Sequence, residues 1–174
     1  MQTLLCTLAF ATALIGTAYA ATDCPAQPAR DQMALSYEAF DAAGWRTLLA
    51  EGCTDVAIAT LESYATANDG RLSPERAREL RFHVGQSLAI SGRDAESLPH
   101  FERAVGGADE WDAYVRATIA FLRRDAAALT VQRQRYADAD EAIDMRVAII
   151  DGFIACPGQA YMAAVQCGMS ATGH

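Results

Sequence analysis

The chain contains no lysine, and Asn68 is its only asparagine. This bias matches the codon usage of a GC-rich, bacterial-type genome and carries no mechanistic weight. Other absences say more about chemistry. There is no Gly-x-Ser-x-Gly to raise a serine nucleophile on a strand-to-helix turn, and no glycine-rich loop to cradle a phosphate. No Cys-x-x-Cys occurs, so a dithiol redox site has no motif. The three histidines, His83, His100 and His174, include no pair at ligand spacing, and His100 with Glu102 does not complete His-Glu-x-x-His. Net positive charge is also missing. Twenty-two acidic residues against fourteen basic ones leave a net charge of −8 and a pI near 4.8, which disfavours nucleic acid and anionic membrane surfaces while permitting a basic protein partner. Catalytic, cofactor-binding and metal residues are therefore not assigned.

Aromatics are few, with six Tyr, six Phe and two Trp, and β-branched runs are short. The alanine-rich, glycine-punctuated remainder is helical in composition. At 174 residues and 52% hydrophobic, the chain suits one globular domain with a substantial core.

Residues 1–20, MQTLLCTLAFATALIGTAYA, carry no charged side chain and end in Ala18-Tyr19-Ala20. An apolar centre from Leu4 to Ile15 followed by a small-x-small site predicts a secretory signal peptide cleaved after Ala20, and hence a periplasmic or secreted protein. The rival, an uncleaved anchor, is short for a membrane span. Cys24 follows Ala21-Thr22-Asp23, which is no lipobox. Cleavage would remove Cys6 and leave Cys24, Cys53, Cys156 and Cys167. An even count in an exported chain predicts two disulfides. Three pairings are open; if the ends of the domain lie apart, Cys24 with Cys53 and Cys156 with Cys167 is favoured.

Residues 21–30 contain two prolines and read as an exposed lead-in. A helix is expected over Asp31–Phe40, then a short one with Trp45 that Asp41 caps and Gly52 ends. A third, capped by Thr54, runs to Ala67. Ser73-Pro74-Glu75 opens the next with a hydroxyl cap, a first-turn proline and an acid at the positive end of the dipole. From Arg81 to Gly107 the pattern is a helical hairpin: Phe82, Gly85, Leu88 and Ala89 mark one stripe, Leu98, Phe101, Ala104 and Val105 another, with Gly92-Arg93-Asp94 between them. Asp109 and Glu110 open a helix containing Trp111, Tyr114 and Ile119, and Arg123-Arg124-Asp125 turns it into a partner ending near Tyr136. A further helix starts at Asp138–Asp140 and stops at Cys156-Pro157-Gly158, before a short closing helix through Val165.

The central hairpin resembles a tetratricopeptide repeat. Val84-Gly85 stand for its Leu-Gly, Leu88 for its Tyr, and Ser97, Phe101 and Ala104 for its Ala-x3-Phe-x2-Ala, while Arg81 and Asp109 replace its Trp and Pro. Gly52, Ala57 and Leu61 repeat the spacing of Gly92, Ser97 and Phe101 at an offset of 92 − 52 = 40 residues. His83-Val84-Gly85-Gln86, Ala120 to Asp125 and Asp151 to Cys156 are also similar to stretches of uncharacterised secreted bacterial proteins with such repeats, a likeness that brings no activity with it. The resemblance implies an all-α domain over 31–167, its antiparallel hairpins stacked as a short right-handed solenoid; residues 168–174, at the chain end, read as a mobile tail. The resemblance further implies a concave groove lined by Glu79, Phe82, Gln86 and Ala89, continued by Arg116 and Arg123.

The expected function is a non-enzymatic, exported module that binds a peptide or protein in that groove. The alternative is an acidic inhibitor or immunity-type protein that covers a basic exported enzyme or toxin. Third comes a small periplasmic enzyme. His83, one turn from Gln86, reads as a hydrogen-bonded structural histidine, and the carboxylates Asp109, Asp112, Asp138 and Asp140 read as helix-start caps. Partner identity and oligomeric state are not encoded in any motif.

Overall fold

The computed structural model describes residues 23–138 and 144–172. The expected signal peptide, Asp140, Ile143 and His174 lie outside the described residues. Among those described, all regular structure is helical, with no strand. A 3-10 turn at Arg30–Ala34 precedes α1 (Tyr37–Asp41), α2 (Trp45–Ala50), α3 (Thr54–Ala67), α4 (Pro74–Ile90), α5 (Asp94–Ala104), α6 (Asp109–Leu122), α7 (Ala126–Ala137), α8 (Asp144–Ala155) and α9 (Tyr161–Thr172).

Most helix boundaries follow local chemistry. The Ser73 hydroxyl accepts from the Arg76 amide at 3.3 Å with Pro74 in the first turn, and Gly52 and Gly92 end their helices at φ +81° and +77°. Several expectations are corrected. The single helix foreseen over Asp31–Phe40 is broken in two, because Ser36 leaves helical geometry and caps the Ala39 amide. Asp41 does not cap α2, whose N-cap is Gly44; its carboxylate is drawn instead to Arg46 and His83. Thr54 lies inside α3, preceded by Cys53 at the cap position. The last helix does not stop at Val165. Residues 168–172, expected as a mobile tail, are its final turns, and Gly168 is buried.

Consecutive helices joined by short turns pack against each other as the pairs α4–α5, α6–α7 and α8–α9; α5 also touches α6, and both α6 and α7 touch α8. Two hydrophobic clusters result, and α4 contributes to both. Leu80, Val84 and Leu88 face Phe40, Trp45, Leu61 and Tyr64. Phe82 and Ala89 face the larger cluster of Phe101, Tyr114, Phe121, Ile150, Phe153 and Tyr161. A helix covered on two sides needs two apolar stripes, which is why α4 is not simply amphipathic. The small positions are occupied closely. A Cβ on Gly85 would lie 3.2 Å from the Phe101 ring, and Cβ atoms on Gly152 or Gly168 would run into the backbone of the facing helix in the α8–α9 pair. Buried hydroxyls of Thr60, Ser87, Ser97 and Thr118 each donate to a carbonyl three or four residues back, so they cost little to bury.

The cysteines pair locally. Cys24 bonds Cys53 with Cα atoms 5.5 Å apart, tying the lead-in to the start of α3, and Cys156 bonds Cys167 with Cα atoms 6.6 Å apart, clamping α8 to α9.

Candidate functional site

Of the six side chains expected in one groove, the structure places two, Arg116 and Arg123, along the same one. Phe82 and Ala89 are core residues, 4% and 2% exposed. Phe82 stands edge-on to the rings of Phe101 and Trp111 at centroid distances of 5.1 and 5.3 Å, and α9 covers the end of this stripe. Gln86 donates to the Tyr161 hydroxyl of α9 at 3.4 Å. The surface foreseen as open groove is thus closed here by the chain's own last helix. Glu79 is half-buried, paired with Arg76 at 2.9 Å, and borders a small cleft of about 190 Å³ with Trp111 and Arg146. The Arg146 guanidinium lies 5.3 Å from the Trp111 ring centroid and 5.2 Å from that of Tyr114.

Arg116 and Arg123 lie elsewhere. Successive helical residues are about 100° apart, so Arg116, two places beyond Tyr114, points away from the side of α6 that packs on Phe82. Asp109, Asp112, Arg116, Ile119 and Arg123 recur at spacings of three and four and form the floor of a groove whose wall is α7, through Ala128, Gln132 and Arg135. Two adjoining hollows of about 390 and 450 Å³ share Arg116 and Gln132 and make the groove continuous. Its charges are placed by the turn before α6. Asp112 Oδ1 accepts from the amides of Gly106 and Gly107 at 2.7 and 2.9 Å, which commits that carboxylate to the loop, and its other oxygen lies 3.9 Å from Arg116. Gly107 is required there, since a Cβ would strike the Trp111 ring, itself anchored by an indole bond to the Ala104 carbonyl at 2.7 Å. Arg123 pairs with Glu102 of α5 at the groove's other end. Between them the Gln132 Oε1 is buried and accepts no hydrogen bond among the described residues.

The histidine chemistry is different. His83 Nε2 lies 3.3 Å from Asp41 Oδ1, and Nδ1 lies 3.4 Å from Gln86 Oε1, while Trp45 covers the ring at a centroid distance of 4.9 Å. Burial would raise the Asp41 pKa, but the hydrogen bonds from His83 and Arg46 outweigh it and bring the carboxyl down to about 2 from 3.8. The result is a polar chain Arg46–Asp41–His83–Gln86–Tyr161 that links α1, α2, α4 and α9. At its far end burial pushes the Tyr161 hydroxyl up to about 12, against the hydrogen bonds to Gln86 and Tyr114. Both imidazole nitrogens meet protein groups, which suits a positioning contact within the fold. His100, on α5, is held below its ordinary range by burial. Among the described residues no cluster of three or more His, Cys, Asp or Glu is placed to hold a metal.

No protein-family model, curated protein or solved structure matches this chain. Function must therefore be read from the groove itself.

Sequence reasoning named Arg116 and Arg123, which lie on the floor of the α6–α7 groove, and did not name Gln132 or Arg135 of its wall. The signal was available: Ala128, Gln132 and Arg135 keep the same three-and-four spacing on α7 that the arginines keep on α6.

Proposed function

We propose that the chain is an exported, non-enzymatic interaction module made of stacked tetratricopeptide-like hairpins, and that it binds a peptide or protein segment along the α6–α7 groove. The repeat reading is supported by Gly52 and Gly92 at equivalent turns and by the fit of Phe101 against Gly85. Export is supported by two disulfides, which persist in oxidising compartments. Among the described residues no helix is long and apolar enough to cross a membrane.

The observation that carries the binding reading is the groove continuous over two hollows, with Arg116 on its floor and Gln132 on its wall. A segment that lies against Gln132 and offers a carboxylate to Arg116 fits the groove. Peptide libraries and extracts of exported proteins passed over the immobilised, oxidised protein should yield a ligand whose affinity falls at least tenfold in both Arg116→Glu and Gln132→Leu. Capture indifferent to both substitutions, or none from any library or extract, refutes the reading.

The net charge of −8, with Asp109, Glu110 and Asp112 gathered at the start of α6, favours a second reading: an acidic inhibitor that covers a basic exported enzyme or toxin. Its association would weaken steeply with salt and would not be lost in Arg116→Glu.

A further inference from the structure

Among the described residues six helix-to-helix turns carry a residue at positive φ: Gly52 at +81°, Gly70 at +74°, Gly92 at +77°, Gly106 at +110°, Arg124 at +58° and Gly158 at +79°. In three of them the next amide bonds a carbonyl five residues back, Cys53 to Leu48, Arg93 to Leu88 and Asp125 to Ala120, at 2.8, 2.9 and 2.8 Å. This is one turn design used repeatedly, and glycine is the residue it favours, since a Cβ is strained in left-handed backbone. Glycine at 124 would keep every hydrogen bond of the α6–α7 turn. The turn therefore does not account for the arginine.

What lies beside the turn does. Between it and the end of α8 is a cavity of about 340 Å³ with apolar walls: Phe121 from α6, Leu129 from α7, and Phe153, Ile154 and Pro157 from α8 and the turn after it. Arg124 borders this cavity, exposed; its amide donates to the Phe121 carbonyl at 2.9 Å, and no hydrogen bond or ion pair engages its guanidinium among the described residues. The other charged residue of the lining, Asp125, is committed to the Ala128 amide at 2.9 Å as the cap of α7. The cavity is at the small end of the range for ligand pockets, about 300–1,000 Å³. A peptide laid in it would have to strip water from amides against walls that offer them few partners, whereas an alkyl chain has no amides to satisfy. A guanidinium at the rim selects a carboxylate, which it binds through two parallel hydrogen bonds.

We propose that this cavity binds a single-chain fatty carboxylate, the alkyl chain against Phe121, Leu129, Ile154 and Pro157 and the carboxylate on Arg124. The site is separate from the α6–α7 groove in ligand and in residues required.

The test is calorimetric titration of the oxidised full chain with decanoate, decan-1-ol and an apolar pentapeptide bearing a free C-terminal carboxylate. Decanoate should bind saturably with one site, and the alcohol and the peptide at least tenfold more weakly. Arg124→Gly should melt at a higher temperature, because the turn is relieved, while losing the preference for decanoate over decan-1-ol. Ile154→Trp, at a position 41% exposed, should stay folded and weaken decanoate and decan-1-ol alike by narrowing the mouth. Absence of saturable decanoate binding, retention of the carboxylate preference in Arg124→Gly, indifference to Ile154→Trp, or tighter binding of the peptide would each overturn the proposal.

Discussion

Replacing Gly168 by alanine sets two effects of known sign against each other. Alanine in a helix interior is worth about 1 kcal/mol over glycine, so propensity alone predicts a more stable protein. The new methyl, however, would occupy the space of the Ala148 carbonyl and the Gly152 amide on α8, and backbone cannot swing aside as a side chain does. The two helices would have to part, loosening Phe153, Ile150, Tyr161 and Ala164, all at or below 1% exposure. Overpacking of this kind costs about 3 kcal/mol at the upper end of its usual range, leaving a net loss of about 2 kcal/mol. For a chain of this size that lowers the melting temperature by roughly 4–8 °C. The comparison is Gly52→Ala, where a Cβ meets open space and only the positive φ is strained, at a cost of about 1 kcal/mol. Urea and thermal denaturation followed by helical circular dichroism give both numbers. The Cys156–Cys167 bridge holds the pair together, so the Gly168→Ala penalty should shrink when both cysteines are replaced by alanine. A Gly168→Ala protein as stable as the parent, or more so, would show that α8 and α9 do not cross at these glycines.

Acid should act through Asp41. Its folded pKa of about 2 lies below the ordinary 3.8, so the ionised carboxylate stabilises the protein above pH 4 and that contribution disappears between about pH 4 and 2. Allowing for partial solvent screening, the loss is about 1–2 kcal/mol; a pH series of urea midpoints should show it in the parent and not in Asp41→Asn. Replacing Cys24 and Cys53 together by alanine should cost about 3.5 kcal/mol for the 29-residue separation, and replacing Cys156 and Cys167 about 3 kcal/mol for the 11-residue one, in the chain-entropy account. Reduction of the parent should lower its melting temperature correspondingly, and an unchanged midpoint would mean that neither bridge restrains the unfolded chain.

Contacts between neighbours in sequence were legible in advance. Gly85 opposite Phe101 and the turn at Gly92 follow from spacing and residue size, because the elements involved are adjacent along the chain, whereas the local cysteine pairing was one of three open and was favoured only if the ends of the domain lie apart. The groove was only half legible. Periodicity identifies a stripe on a helix but not what covers it, and α4 has two stripes, one of them closed by α9 from Tyr161, 75 residues beyond Gln86. Asp41 looked like a cap because aspartate beside a helix start usually is one; its carboxylate goes instead to Arg46 and to His83, and the second of these lies in another helix and left no local trace. Arg124 did leave a trace, since aligning its turn with those at Gly52 and Gly92 puts a side chain where the backbone asks for none.

The hydrogen bond that reaches from Gln86 to Tyr161 also bears on how the molecule comes apart. Linear arrays, in which every unit leans only on its neighbours, can peel from an end and populate partly frayed species. Here the final helix grips the middle of the chain, so releasing the C-terminal end exposes the central rings at the same moment, and denaturation should proceed as one concerted event rather than as successive loss of hairpins.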